Sequence, residues 1–176
     1  MENDVIKKLE TDDYVFTVYQ DDGAHYIWDE LWEGVAFTSN HKDYRNEGTL
    51  RDGMISVPLY ALIHGCISVS LTPFNCPWDS GVLGEIHFLP GEFGEDNQGL
   101  NGFVTRMNAL LNNEIYGFVL SKKTYCPCCT RDDLEDVDSC FSFYGYENFN
   151  SMVKCMLEHC HISDKDREEL YKELDQ

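Results

Sequence analysis

Glu114-Ile-Tyr-Gly-Phe-Val-Leu120 and, after a polar interval, Val137-Asp-Ser-Cys-Phe-Ser-Phe-Tyr144 are the segments whose reading decides the fold. Both are rich in aromatic and β-branched residues, which suit the pleated, half-buried surface of a sheet. They read as two strands of a hairpin joined by a loop over residues 121–136. Upstream, Tyr14-Val-Phe-Thr-Val-Tyr19 and Gly34-Val-Ala-Phe-Thr-Ser39 have the same character. Cys66-Ile-Ser-Val-Ser-Leu-Thr72 alternates Ile67, Val69 and Leu71 with small polar residues, and Val82 to Leu89 returns as a further strand. Ile55 to Ile63 is apolar and stays open between a strand and a short helix, Pro58 favouring a helical first turn or a sheet edge.

Helical spacing marks the rest. Val5 and Leu9, four apart, suggest a short helix over Asp4–Glu10. Val104, Met107, Leu110 and Leu111 give a helix of about three turns. Phe149, Met152, Val153 and Met156 mark one over 147–159, and Ser163 caps a last amphipathic helix with Asp166 at the capping-box position. Residues 40–53 are polar and read as a long loop. The expected fold is α+β, a single domain over residues 1–176. It has a mainly antiparallel sheet of about five or six strands, three or four helices, and a C-terminal helical pair over 147–176.

The chain has 176 residues, with 32 Asp and Glu against 13 Lys and Arg, for a net charge of −19. A chain of this length buries roughly 70% of its unfolded surface, so one core is the default. Such acidity excludes most nucleic-acid binders, which need a basic footprint to release counterions. Anionic membrane surfaces repel it for the same reason. Ten Tyr, ten Phe and three Trp supply a core and exclude a disordered acidic tail. The longest nearly unbroken apolar run, Val57 to Ile63, is far too short for a bilayer. The first residues lack the apolar centre of a secretory signal, which points to the cytoplasm and to eight cysteines held as thiols or metal ligands.

Asp12, Asp13, Asp21, Asp22, Asp29, Glu30 and Glu33 lie, with Glu10, in an interval from Lys8 to Lys42 that contains no other Lys or Arg, and a second base-free stretch runs from Asp52 to Thr105. Alternate residues on a strand are roughly 6.6 Å apart and DNA phosphates roughly 3.4 Å apart along each strand, so carboxylates on strand ends and loops can imitate a phosphate row. The plainer alternative is a solvated acidic surface.

Cys126-Pro-Cys-Cys129 has the spacing of a metal knuckle. Two further ligands for structural zinc would come from Cys155 and Cys160, with His159, His161 and Cys140 as alternatives. Reduced thiols, or a redox dithiol, remain the competing readings. His64 upstream of Cys76-Pro-Trp-Asp-Ser-Gly81 suggests a Cys-His-Asp nucleophile centred on His64, Cys76 and Asp79. The competing reading is a buried Cys, with Trp78 as a core anchor and Asp79-Ser80-Gly81 as a turn. Trp28, Trp32 and Phe37 read as packing residues. No Walker loop, dinucleotide fingerprint, HExxH or G-x-S-x-G motif is present.

Three blocks carry a likeness that extends over most of the chain. They are Trp28-Asp-Glu-Leu-Trp-Glu-Gly34 with His41-Lys-Asp-Tyr44; His64-Gly-Cys-Ile-Ser-Val-Ser70 with Pro73-Phe-Asn-Cys-Pro-Trp-Asp-Ser-Gly-Val-Leu-Gly84; and Tyr116-Gly-Phe118 with Asp138-Ser-Cys-Phe-Ser-Phe-Tyr-Gly145. In these the chain resembles an uncharacterised family of small phage and mobile-element proteins. It departs from that pattern at Ile63-His-Gly-Cys66, where Asp-His-Ser-Gly is expected, and in the loop carrying Cys126 to Cys129. The resemblance implies a phage or mobile-element setting and supplies no activity.

The function expected from these observations is that of a non-enzymatic, acidic inhibitor of a host nucleic-acid-directed defence enzyme, of anti-CRISPR or antirestriction type. Its partner would be a host nuclease or CRISPR effector, whose basic groove these carboxylates would occupy without direct nucleic-acid binding or membrane contact. The alternatives are a small Cys/His enzyme acting on a nucleotide signal or protein, and a zinc-stabilised protein-binding adaptor.

Overall fold

A computed structural model describes residues 4–21, 24–94, 98–125, 132–145 and 149–175. Nine strands and four helices follow in the order β1 (Val5–Glu10), β2 (Tyr14–Gln20), α1 (Ala24–Leu31), β3 (Val35–Thr38), β4 (Glu47–Gly48), β5 (Ile55–His64), β6 (Cys66–Ser70), β7 (Ser80–Phe88), α2 (Gln98–Leu111), β8 (Ile115–Tyr125), β9 (Asp132–Tyr144), α3 (Phe149–His159) and α4 (Asp164–Leu174). The fold is α+β, its strand pairs are all antiparallel among the described residues, and it ends in the expected helical pair. The strands form two sheets, one ordered β1-β2-β8-β9 and the other β4-β3-β7-β5-β6.

The chain divides into two compact units. The first joins residues 1–22 to 114–176 and holds the four-stranded sheet. Phe16, Val18, Phe118 and Leu120 from its central strands pack with Met152, Val153, Met156 and Leu157 of α3 and with Leu170 and Leu174 of α4. The second, residues 23–113, holds the five-stranded sheet, whose Phe37, Leu59, Ile86 and Phe88 pack with Leu100, Phe103 and Met107 of α2. Two hydrophobic clusters, one in each unit, therefore stand where chain length suggested one core. Trp32 stacks on Phe37 at 5.9 Å and meets Phe103 edge-on at 5.5 Å, so Trp28, Trp32 and Phe37 are packing residues.

Two expectations change, for Val5–Glu10 and for residues 121–136, and one left open, for Ile55–Ile63, is decided. Val5–Glu10 is a strand rather than a helix. A helix of that length cannot stand alone, because its nucleus is never repaid by elongation. Pairing with β2 supplies hydrogen bonds at once, through a turn in which Thr11 N–H donates to the Tyr14 carbonyl at 2.9 Å. Ile55–His64 is a strand, and Pro58 lies in the half that β6 does not reach, an edge position that Pro tolerates. The interval 121–136 is largely strand: β8 runs to Tyr125 and β9 starts at Asp132, with Lys122 opposite Glu135. Opposite charges across the ladder stabilise that pairing, so polarity alone is a poor sign of a loop.

Two local devices hold the edges. Asn108 of α2 applies its side-chain amide to β6 as if it were another strand: Oδ1 accepts from Val69 N–H at 2.7 Å and Nδ2 donates to the Val69 carbonyl at 2.9 Å. Asn112 donates to the Ile67 carbonyl at 2.8 Å. Ser163 caps α4 as expected, its hydroxyl accepting from Asp166 N–H at 3.3 Å.

Candidate functional site

The seven acids singled out from sequence fall in both units. Asp12 and Asp13 are exposed in the β1–β2 turn, beside a cavity of about 470 Å³ that Glu10, Asp12, Glu169 and Glu173 share with Lys123 and Lys172. Lys123 bonds Glu10 at 2.8 Å and Lys8 bonds it at 3.1 Å, and these two ammonium groups, Lys123 first, hold the Glu10 carboxyl below the ordinary range. Asp29, Glu30 and Glu33 are exposed at the end of α1 and just after it, with no ion pair among the described residues. Asp21 is a different kind of residue: it is half-buried, and its Oδ2 accepts from Ser142 N–H at 3.1 Å. Ser142 has a positive φ of 69°, so Asp21 anchors an irregular point of β9 and is not a free contact acid. Asp22 lies outside the described residues.

Sequence reading missed the acids of β9, because residues 121–136 read as a loop. Asp133, Glu135 and Asp136 are exposed on this edge strand, Asp136 accepting from the Ser121 hydroxyl at 2.6 Å. A row of acids on an edge strand also discourages other strands from adding there. The first unit has 21 acids against nine bases, the second 11 against four. The negative field thus belongs to both units and is denser in the first.

Of the cysteines proposed for zinc, Cys126 and Cys129 lie outside the described residues. Cys155 is half-buried on α3, and Cys160 is 3% exposed in the first unit's core. The Cys160 thiol donates to the Met156 carbonyl at 3.5 Å. Burial, reinforced by the nearby Asp138 carboxylate, pushes its pKa up to about 12. A ligand thiolate is disfavoured there, since the core solvates no anion. Among the described residues no three His, Cys, Asp or Glu side chains form a metal cluster. His159 and His161 are engaged elsewhere: His159 Nδ1 lies 2.8 Å from the Cys155 carbonyl, and His161 Nδ1 lies 2.9 Å from Asp138 Oδ2.

His64, Cys76 and Asp79 do come together in the second unit. Asp79 Oδ2 is 3.2 Å from His64 Nδ1 and 3.9 Å from Cys76 Sγ. The carboxylate, and not the imidazole, faces the thiol. A Cys nucleophile needs a base or a positive charge beside sulfur, and this arrangement gives it an anion. The trio instead fixes a turn: the Ser80 hydroxyl donates to the Cys76 carbonyl and Ile63 N–H to the Asp79 carbonyl at 2.8 Å. That turn ejects Trp78, which is 91% exposed rather than a core anchor.

Compared with protein-family models, curated proteins and solved structures, the chain matches none. No helix among the described residues is long and apolar enough to cross a membrane.

Proposed function

We propose that this protein is an acidic, non-enzymatic inhibitor of a host nucleic-acid-directed defence enzyme, a CRISPR effector or restriction nuclease, and that it works by occupying a basic DNA- or RNA-binding groove. The observation that carries the reading is the set of exposed carboxylates at Asp12, Asp13, Asp29, Glu30 and Glu33, which form no ion pair among the described residues, in a chain of net charge −19. Carboxylates not held in an ion pair keep their field for a partner. The likeness to phage and mobile-element proteins supplies the setting, and the carboxylate facing Cys76 weighs against the enzyme alternative.

The test is a competition assay in which the protein displaces labelled DNA from a purified effector nuclease at several salt concentrations. Displacement is expected to weaken as salt rises. Reversing the five acids to Lys, as Asp12→Lys with Asp13→Lys and as Asp29→Lys with Glu30→Lys and Glu33→Lys, is expected to raise the inhibitory concentration by about tenfold or more per set. Inhibition that survives reversal of all five acids would refute phosphate imitation by these residues.

A further inference from the structure

β7 is nine residues long, but its neighbour β3 is only four. Their pairing stops at Thr38 opposite Glu85, whereas β5 stays paired on the other side of β7 down to Ser80, through a register shift between Leu59 and Tyr60 that passes over Leu83. Beyond Thr38, the Ser39 hydroxyl still donates to the Leu83 carbonyl, but the backbone ladder has ended. Two concavities of about 360 and 370 Å³ occupy the place where β3 would continue, and Val82 lines both. Gly81 has open space where a side chain would stand. A strand edge that loses its neighbour keeps outward-facing backbone groups that can pair with another chain.

The side chains around this edge have a consistent chemistry. Trp78 is 91% exposed, Val82 64% and Ile63 44%, and all three line the first concavity as an exposed apolar group. Asp79 lines the first concavity and Glu85 the second, and neither is lined by Lys or Arg among the described residues. His64 and Cys76 both approach Asp79 through Oδ2, which leaves Oδ1 without a partner among the described residues. An exposed indole next to an available carboxylate matches a guanidinium, whose flat, weakly hydrated face stacks on aromatic rings while its edge donates to oxygen.

We propose that the free edge of β7 at Ser80–Val82 docks a short extended segment of a basic partner protein, an arginine of that segment stacking on Trp78 and pairing with Asp79. Backbone pairing along β7 supplies part of the affinity, Val82 and Ile63 receive alternate apolar side chains, and the acids at both ends select a cationic sequence. Nucleic acid and anionic lipid are repelled by the same acids. None of the residues invoked here is among the carboxylates at residues 12–33, so either reading can fail alone.

The probe is the synthetic peptide acetyl-Val-Arg-Val-Arg-Val-amide, with affinity measured by calorimetry and the indole followed by fluorescence. Saturable binding is expected, with a blue shift of the Trp78 emission. Trp78→Ala and Asp79→Asn are each expected to weaken it by about tenfold, with a thermal melt of each variant unchanged, since Trp78 stands in water and Asn at position 79 keeps an oxygen for the Cys76 thiol. Replacing both arginines by citrulline, which keeps the shape and removes the charge, is expected to weaken binding similarly. So is N-methylation of the central valine, which removes a backbone donor and leaves the charge intact. The proposal is overturned if the peptide does not saturate, if either variant binds it as tightly as the wild type, or if the N-methylated peptide binds as well as its parent.

Discussion

Replacing Asn108 by Leu tests how α2 holds the outer edge of β6. The amide of Asn108 makes two bonds to one residue, receiving Val69 N–H and donating to the Val69 carbonyl, and Val69 is 3% exposed. Leu has nearly the same shape and no polar atom, so both backbone groups lose their partners. An unmade buried hydrogen bond costs about 1–3 kcal/mol, and partial access of water to the half-buried amide favours the lower part of that range, giving about 2–4 kcal/mol for the pair. For a chain of this length that corresponds to a fall in melting temperature of about 5–15 °C. Asn108→Asp is expected to do no better, because its carboxylate still accepts from Val69 N–H but opposes the Val69 carbonyl. Asn112→Ala, which removes its donation to Ile67, is expected to cost about 1 kcal/mol. The assays are thermal melts followed by near-ultraviolet circular dichroism and hydrogen exchange at Val69 N–H, which should lose protection selectively. A change below about 0.5 kcal/mol in Asn108→Leu, with Val69 protection intact, would refute the account, since surface substitutions without such a role fall in that range.

Four further outcomes follow from the same geometry. Burial pushes the Asp138 carboxyl up, but the His161 backbone N–H, the His161 imidazole and Ser139 N–H outweigh burial and hold it below its ordinary range. A carboxylate depressed in the folded state stabilises above its unfolded pKa, so the contribution should be lost as pH falls below about 4, and Asp138→Asn should flatten acid melts in that window. Alkylation of the folded protein with iodoacetamide, followed by peptide mass analysis, should modify the exposed Cys66 and Cys140 well before Cys160, whose thiol is buried and hard to ionise; equal rates would contradict the placement of Cys160. A Cβ at Gly84 would run into the Thr38 carbonyl and the Phe37 ring, so Gly84→Ala should cost about 2 kcal/mol or more by denaturant titration. Gly81→Ala, with nothing nearby, should stay within about 0.5 kcal/mol of the wild type, and equal costs at the two sites would be inconsistent with the closeness of β3 to Gly84.

The candidate site was only partly legible in advance. Asp12, Asp13, Asp29, Glu30 and Glu33 were nominated by charge and local polarity, and they are exposed. Asp21 belonged to the same run by composition, yet it serves Ser142, a residue 121 positions away that no local pattern connects to it. Cys160 and Trp78 depart from the roles expected of them: the thiol expected at a metal is in the core, and the indole expected in the core is in water. Each outcome depends on which turn or helix end the residue occupies, and composition does not carry that information.

By itself the sequence determined the charge, the alternating segments that became β2, β6 and β7, and the periodic ones that became α2, α3 and α4 with its Ser163 cap. These depend on interactions within a few residues, where side-chain spacing and backbone geometry are directly linked. Only the tertiary structure decided that Val5–Glu10 is a strand, that the apolar residues divide into two clusters, that β3 stops short of Ser80, and that Asp79 meets His64. Alternation specifies which face of a strand is apolar but not which strand lies beside it or where the pairing ends. Those choices are made by contacts between distant residues, whose free energy exists only once the chain has closed on itself.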